Sequence, residues 1–205
     1  MSLVNAPIGL FDLLLVAVLA AGLWSGRQHG MSVEVLDLAK WVALLFGAAA
    51  FYEGLGRQLA QSTRIFGLLS CYLLAYLALA LFIFLLFALF KRAVGGKLLG
   101  SDIFGRGEYY LGMVSGMVRH ACVLLAALAL LNARAFNSAE VHAIRQFQQE
   151  QFGNELFPTL HSIQMAVFQR SYAGPWIHGN LSFLLIKPTQ PSRQPHHLQE
   201  VRPPF

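Results

Sequence analysis

The sequence predicts an all-α membrane protein: four transmembrane helices followed by short amphipathic helices and a disordered C-terminal tail. Three observations carry that expectation. Ile65 to Phe90 runs without a formal charge, and at about 1.5 Å per residue a helix of that length crosses a bilayer core of about 30 Å. Across all 205 residues, 56% are hydrophobic and only 12% are charged, against about 25% charged in an average soluble domain. Mean hydropathy is +0.54, and a soluble chain of this size could not bury so much apolar surface. In hydrocarbon every backbone N–H and C=O needs an internal partner, so such segments are helical.

Four apolar segments follow in order: Pro7 to Trp24, Val33 to Tyr52, Ile65 to Phe90 and Tyr109 to Leu131. The first has no basic residue ahead of it, carries Asp12 and lacks a small-x-small cleavage site, so it reads as a retained span rather than a signal peptide. The second takes Glu34, Asp37 and Lys40 into its first turns; Asp37 and Lys40, three apart on one face, can neutralise each other. The alternative for this segment is a helix lying partly in the interface. Cys71 and Cys122 fall inside apolar runs, where they read as packing residues rather than disulfide or zinc ligands.

Lysine and arginine in the connections set an expected orientation. Arg27, Lys91, Arg92, Lys97 and Arg106 stand on one side, and Arg57, Arg64 and Arg134 on the other. The excess marks the first side as cytoplasmic and puts both termini outside. The net charge of +5 is spread over these short connections, as for loops meeting anionic headgroups. With no nucleic-acid-binding motif present, nucleic acid is not an expected partner.

Beyond the four-span region, taken as 1–135, residues 136–187 read as interfacial. Asn137 to Phe152 has Ser138 as N-cap, Glu140 in the first turn and Val141, Ile144 and Phe147 at threefold spacing. Leu156 to Tyr172 offers a second short helix, with Pro158 near its start and Leu160, Ile163, Val167 and Phe168 on one face. Phe183 to Ile186 is too short to span and either dips into the interface or packs on those helices. From Pro188 to the end, prolines with Gln, Ser and Arg describe a disordered tail. His196 and His197 within it are too few for a metal site.

The residues that cost most where they stand are the candidates for function. Arg119 falls about midway along the fourth segment, where a charge costs on the order of 2.5–3.5 kcal/mol. Asp12 in the first segment is a candidate counter-ion, and the alternative is that Arg119 bonds helix-end carbonyls or snorkels. Gly112 and Gly116 stand four apart ahead of Arg119, and Gly22, Gly26 and Gly30 repeat that spacing, which lets helix backbones approach closely. Their partner is either within the chain or in a second copy. His120 reads either as a hydrogen-bonded bundle residue or as a proton relay.

Together these pieces resemble the colicin V production protein family of bacterial inner membranes. The resemblance rests on Phe11-Asp12 opening an apolar helix, Gly26-Arg27-Gln28-His29-Gly30, Glu34-Val35-Leu36 leading to Trp41, and Leu111-Gly112-x-x-x-Gly116-x-x-Arg119. It covers about Ile8 to Ala133, with an echo at Leu156-Phe157-Pro158. Three positions depart from the family pattern: Val33 stands for a basic residue, Tyr109 for an arginine after the acid matched by Glu108, and His120 for a glycine. Asp12, Glu34 and Arg119 remain as the matched ionisable positions. The resemblance implies a small multi-pass inner-membrane protein associated with colicin V export and, more broadly, envelope homeostasis.

Two function classes follow. One is an accessory or scaffold protein acting through helix contacts, with the bilayer and a second copy or an envelope protein as partners. The other is a subunit of a small transporter or channel, with Asp12, Glu34 and Arg119 lining a polar path. The second lacks paired Gly- or Pro-interrupted short helices, the usual mark of a midplane substrate site. An enzyme is not expected, since no nucleophile–base or H-E-x-x-H pattern occurs, and no cofactor or metal is implied.

Overall fold

The computed structural model describes residues 9–63, 66–98, 108–152 and 158–191. Among them run six helices: α1 (Leu10–Thr63), α2 (Leu68–Leu98), α3 (Glu108–Asn132), α4 (Ser138–Phe152), α5 (Leu160–Phe168) and α6 (Ala173–Asn180). A 3-10 turn at Ser182–Leu184 follows. Four stretches are long and apolar enough to cross a membrane: Leu10–Gln28 and Glu34–Thr63, both in α1, then Leu68–Ala93 and Glu108–Asn132.

A straight helix as long as α1 would measure about 80 Å, far beyond a bilayer core. Its two limbs instead run in opposite directions. Gly26 lies against Gly112 and Gly22 against Gly116, so the first limb is antiparallel to α3. Glu34 meets Arg119 and Leu45 packs with Cys122, so the second limb is parallel to α3. The chain therefore reverses between Gln28 and Glu34. Helix α2 returns antiparallel to the second limb, with Tyr72 beside Gly56, Ile83 against Gly47 and Lys91 at Asp37. The second limb thus has α2 on one side and α3 on another, while α3 also carries the first limb.

Element ends differ from the expected ones for local reasons. The second span continues from Tyr52 to Thr63, because Glu53 and Arg57 pair one turn apart and no proline interrupts. The first helix starts at Leu10, where the Asp12 carboxylate accepts the Gly9 N–H at 2.9 Å; Pro7 lies outside the described residues, as does Ile65. For α4, Asn137 rather than Ser138 precedes the first turn, its carbonyl accepting the Val141 N–H at 3.0 Å. Val141 and Ile144 are half-buried, whereas Phe147 is exposed.

Within the segment expected to be interfacial, helix α5 is shorter than its apolar pattern indicated. Helix α5 starts at Leu160, capped by Thr159, whose hydroxyl accepts the Ser162 N–H at 3.1 Å; Leu156 lies outside the described residues. Of the expected apolar face, Val167 is buried while Leu160 and Ile163 are exposed. Helix α6 was not anticipated, since Ala-Gly-Pro-Trp-Ile-His-Gly-Asn reads as turn-forming. It forms because Pro175 falls in the first turn, where no N–H is needed, and because Gly174 fits where any Cβ would strike the Val167 carbonyl. Ser171 Oγ accepts the Gly174 N–H at 2.9 Å and secures that turn.

Helices α5 and α6 and the 3-10 turn cap one end of the bundle. Phe11, Tyr52, Leu128, Ile177, Leu185 and Ile186 belong to one buried cluster, so the cap packs directly on three of the spanning segments. The Phe183 to Ile186 segment therefore packs on the bundle, although Phe183 itself is exposed. Backbone ties seal the cap: Asn132 Nδ2 donates to the Ile186 carbonyl at 3.0 Å, and the Lys187 N–H donates to the Tyr52 hydroxyl at 3.1 Å. Thr189 donates its N–H to Ala133 O at 2.8 Å and accepts from Ala135 N at 3.1 Å. The segment from Pro188, expected to be disordered, is thus held as far as Thr189; residues 192–205 lie outside the described residues.

Candidate functional site

The glycine spacing positions the site. Gly22 and Gly26 on the first limb of α1 meet Gly112 and Gly116 on α3, so the partner is within the chain. An added Cβ on Gly22 would come 2.7 Å from the Gly116 carbonyl oxygen, and one on Gly116 would come 2.8 Å from Gly26 Cα. Only glycine allows this backbone-to-backbone approach, which replaces side-chain volume with dispersion contact. Gly30 lies outside the residues whose surroundings are described. His120, one turn beyond Gly116, packs its Cβ near Gly22 and places Nδ1 2.9 Å from the Gly116 carbonyl.

The same approach brings Arg119 to the inner ends of both limbs of α1. Its Nη1 lies 2.9 Å from Glu34 Oε2, with Glu34 only 1% exposed and Arg119 18% exposed. Nη1 also lies 3.8 Å from Asp37 Oδ2, and Nη2 donates to Ser25 Oγ at 3.0 Å. A carboxylate as buried as Glu34 is tolerable only with a cation at bonding distance, and the guanidinium supplies several donors in one plane. From Asp37 the charges continue outward: Lys40 lies 3.1 Å away and Lys91 3.7 Å away. The expected Asp37–Lys40 pair is therefore present, within a larger cluster.

Asp12 is not the counter-ion of Arg119. It stands at the opposite, capped end of the first limb, thirteen residues or about 20 Å from the level of Ser25. There its carboxylate accepts the Tyr172 N–H at 2.9 Å and the Ala173 N–H at 2.9 Å, closing the first turn of α6 across the chain. Arg119 reaches toward the reversal between the limbs and not toward the N-terminus. Of the three matched ionisable positions, the fold joins Glu34 to Arg119 and leaves Asp12 apart. Asp37, Ser25 and Lys91 complete the site without having been singled out as partners of Arg119. The Glu34-x-x-Asp37-x-x-Lys40 ladder was the available signal for Asp37.

Cys71 and Cys122 are buried free thiols. Among the described residues no three His, Cys, Asp or Glu side chains converge as a metal site would require. The arrangement can therefore hold helices in register and neutralise buried charge, and it presents lysines at its outer edge.

The family model described as colicin V production protein matches residues 11–152. That interval runs from Phe11 through the glycine contact and the Arg119 cluster to the end of α4; the cap formed by α5, α6 and the 3-10 turn lies beyond it. No curated protein and no solved structure matches the chain. Four membrane-length apolar helices together with a match over most of the chain place it in a membrane and fix its family: the chain belongs to the colicin V production protein family.

Proposed function

We propose that the chain is an inner-membrane scaffold that assists toxin export or envelope homeostasis by holding partner proteins through helix contacts, without catalysis. The observation that carries this reading is the closure of the Arg119 cluster. The guanidinium is taken up by Glu34, Asp37 and Ser25, and Asp12 is taken up at the other end by Tyr172 and Ala173. Charges committed to internal pairs support a rigid bundle. The polar path through Asp12, Glu34 and Arg119 that a channel reading needs has its residues on two separate ends.

Both termini lie outside the cytoplasm on this reading, supported by the sequence count of Arg27, Lys91, Arg92, Lys97 and Arg106 for the opposite side. Reporter fusions at the C-terminus test it, and a cytoplasmic signal would reverse it. For the function itself, a deletion strain of the source bacterium should export less colicin V, and the intact chain should restore export. Purified chain in proteoliposomes should pass ions no faster than empty vesicles. Flux that disappears in Arg119→Gln would overturn the scaffold reading in favour of a pore.

A further inference from the structure

Asp37 does not balance the charges around it. Its Oδ1 is shared by Lys40 at 3.1 Å and Lys91 at 3.7 Å, while Glu34 answers Arg119. Among the described residues two ammonium groups therefore face one carboxylate, which leaves one positive charge in excess. Lys40 and Lys91 line a cleft of about 240 Å³ between the second limb of α1 and α2, with Leu36, Phe84, Phe87 and Ala88 as its apolar walls. The Lys40 ammonium stands 5.2 Å from the Phe84 ring centre, so its stem and head are held against the wall.

We propose that this cleft binds an anionic phospholipid, its phosphate between Lys40 and Lys91 and the start of an acyl chain along Phe84 and Phe87. Depth supports it. Lys91 falls near the end of the Leu68–Ala93 span and Lys40 in the first turns of the Glu34–Thr63 span, so both snorkel to the headgroup level. A basic pocket between membrane helices is a recognised way of seating an anionic headgroup. Charge favours an anion over a zwitterion, because among the described residues the cleft brings two cations to one carboxylate that they already share. The walls favour a lipid over a free anion, which gains nothing from Leu36, Phe84 and Phe87. The site rests neither on the scaffold reading nor on which leaflet the cleft faces.

Native mass spectrometry of the full chain in detergent, titrated with dioleoyl phosphatidylglycerol or dioleoyl phosphatidylcholine, tests it. Phosphatidylglycerol adducts should dominate, and Lys40→Gln and Lys91→Gln should each weaken them roughly fivefold. Asp37→Asn should strengthen them, a gain that a misfolded protein would not give. Arg92→Gln, which alters a charge outside the cleft, should change binding by less than about twofold. Equal binding of the two lipids, unchanged binding in both lysine variants, or an equal loss in Arg92→Gln would overturn the site. Full displacement of phosphatidylglycerol by inorganic phosphate at equal concentration would overturn its lipid character.

Discussion

Asp12 and Ala173, far apart in the chain, are joined by a 2.9 Å hydrogen bond from the Ala173 backbone to the Asp12 carboxylate. The same carboxylate accepts from Tyr172 and Gly9, so one side chain caps two helices at once. An acid inside an apolar segment is thereby satisfied without any cation.

Asp12→Ala should release α6 from the bundle, at a cost of about 1–2 kcal/mol by analogy with lost helix caps. Limited proteolysis of the detergent-solubilised chain should show faster cleavage between Leu160 and Pro191. Asp12→Asn, which keeps one acceptor oxygen, should lie between the variant and the parent. Unchanged cleavage in Asp12→Ala would count against the clamp.

Glu34 and Arg119 should behave as a unit. Removing either partner leaves the other charge buried, so Glu34→Gln and Arg119→Gln should each destabilise by about 3–5 kcal/mol. The double variant should lose clearly less than the two combined. Asp12→Asn with Arg119→Gln should instead be additive, because those residues stand at opposite ends. Thermal unfolding in detergent, followed by tryptophan fluorescence, measures both cycles.

Glycine substitutions should divide by location. Gly26→Ala and Gly116→Ala put a methyl group into opposing backbone and should cost at least about 1–3 kcal/mol. Gly54→Ala meets nothing within 4 Å and should be neutral or stabilising by up to about 1 kcal/mol. Melting temperatures of the three variants compare them directly, and equal effects would refute the close-contact reading.

Tyr52→Phe should weaken the cap, because the Lys187 N–H loses its acceptor at 3.1 Å and a hydrogen bond of this kind contributes about 0.5–1.5 kcal/mol. The neighbouring Lys187–Glu53 ion pair, 2.9 Å long, has an exposed lysine whose pKa is raised mainly by its bond to Glu53. Lys187→Ala keeps the backbone donor and should scarcely change the melting temperature. A larger effect in Lys187→Ala than in Tyr52→Phe would reverse this assignment.

Composition and periodicity were enough for the membrane, the four spanning segments and the expense of Arg119, because hydrocarbon penalises unpaired backbone and charge wherever they occur in a chain. The glycine spacing also announced a close helix contact, since no other side chain permits one. What spacing could not supply was the partner: Gly112 and Gly116 are equally suited to a second copy until the reversal between Gln28 and Glu34 brings Gly22 and Gly26 beside them. Helix α6 was illegible for the same reason, as its cap comes from Asp12 on another element and its local residues favour a turn.

The sequence by itself determined that this chain crosses a membrane as helices and that Arg119 must be answered by something. Only the tertiary structure decided that the answer is Glu34 rather than Asp12. Burial is a property of each residue's own chemistry, whereas pairing depends on the direction in which each helix returns. That direction is set by packing between segments far apart in the chain.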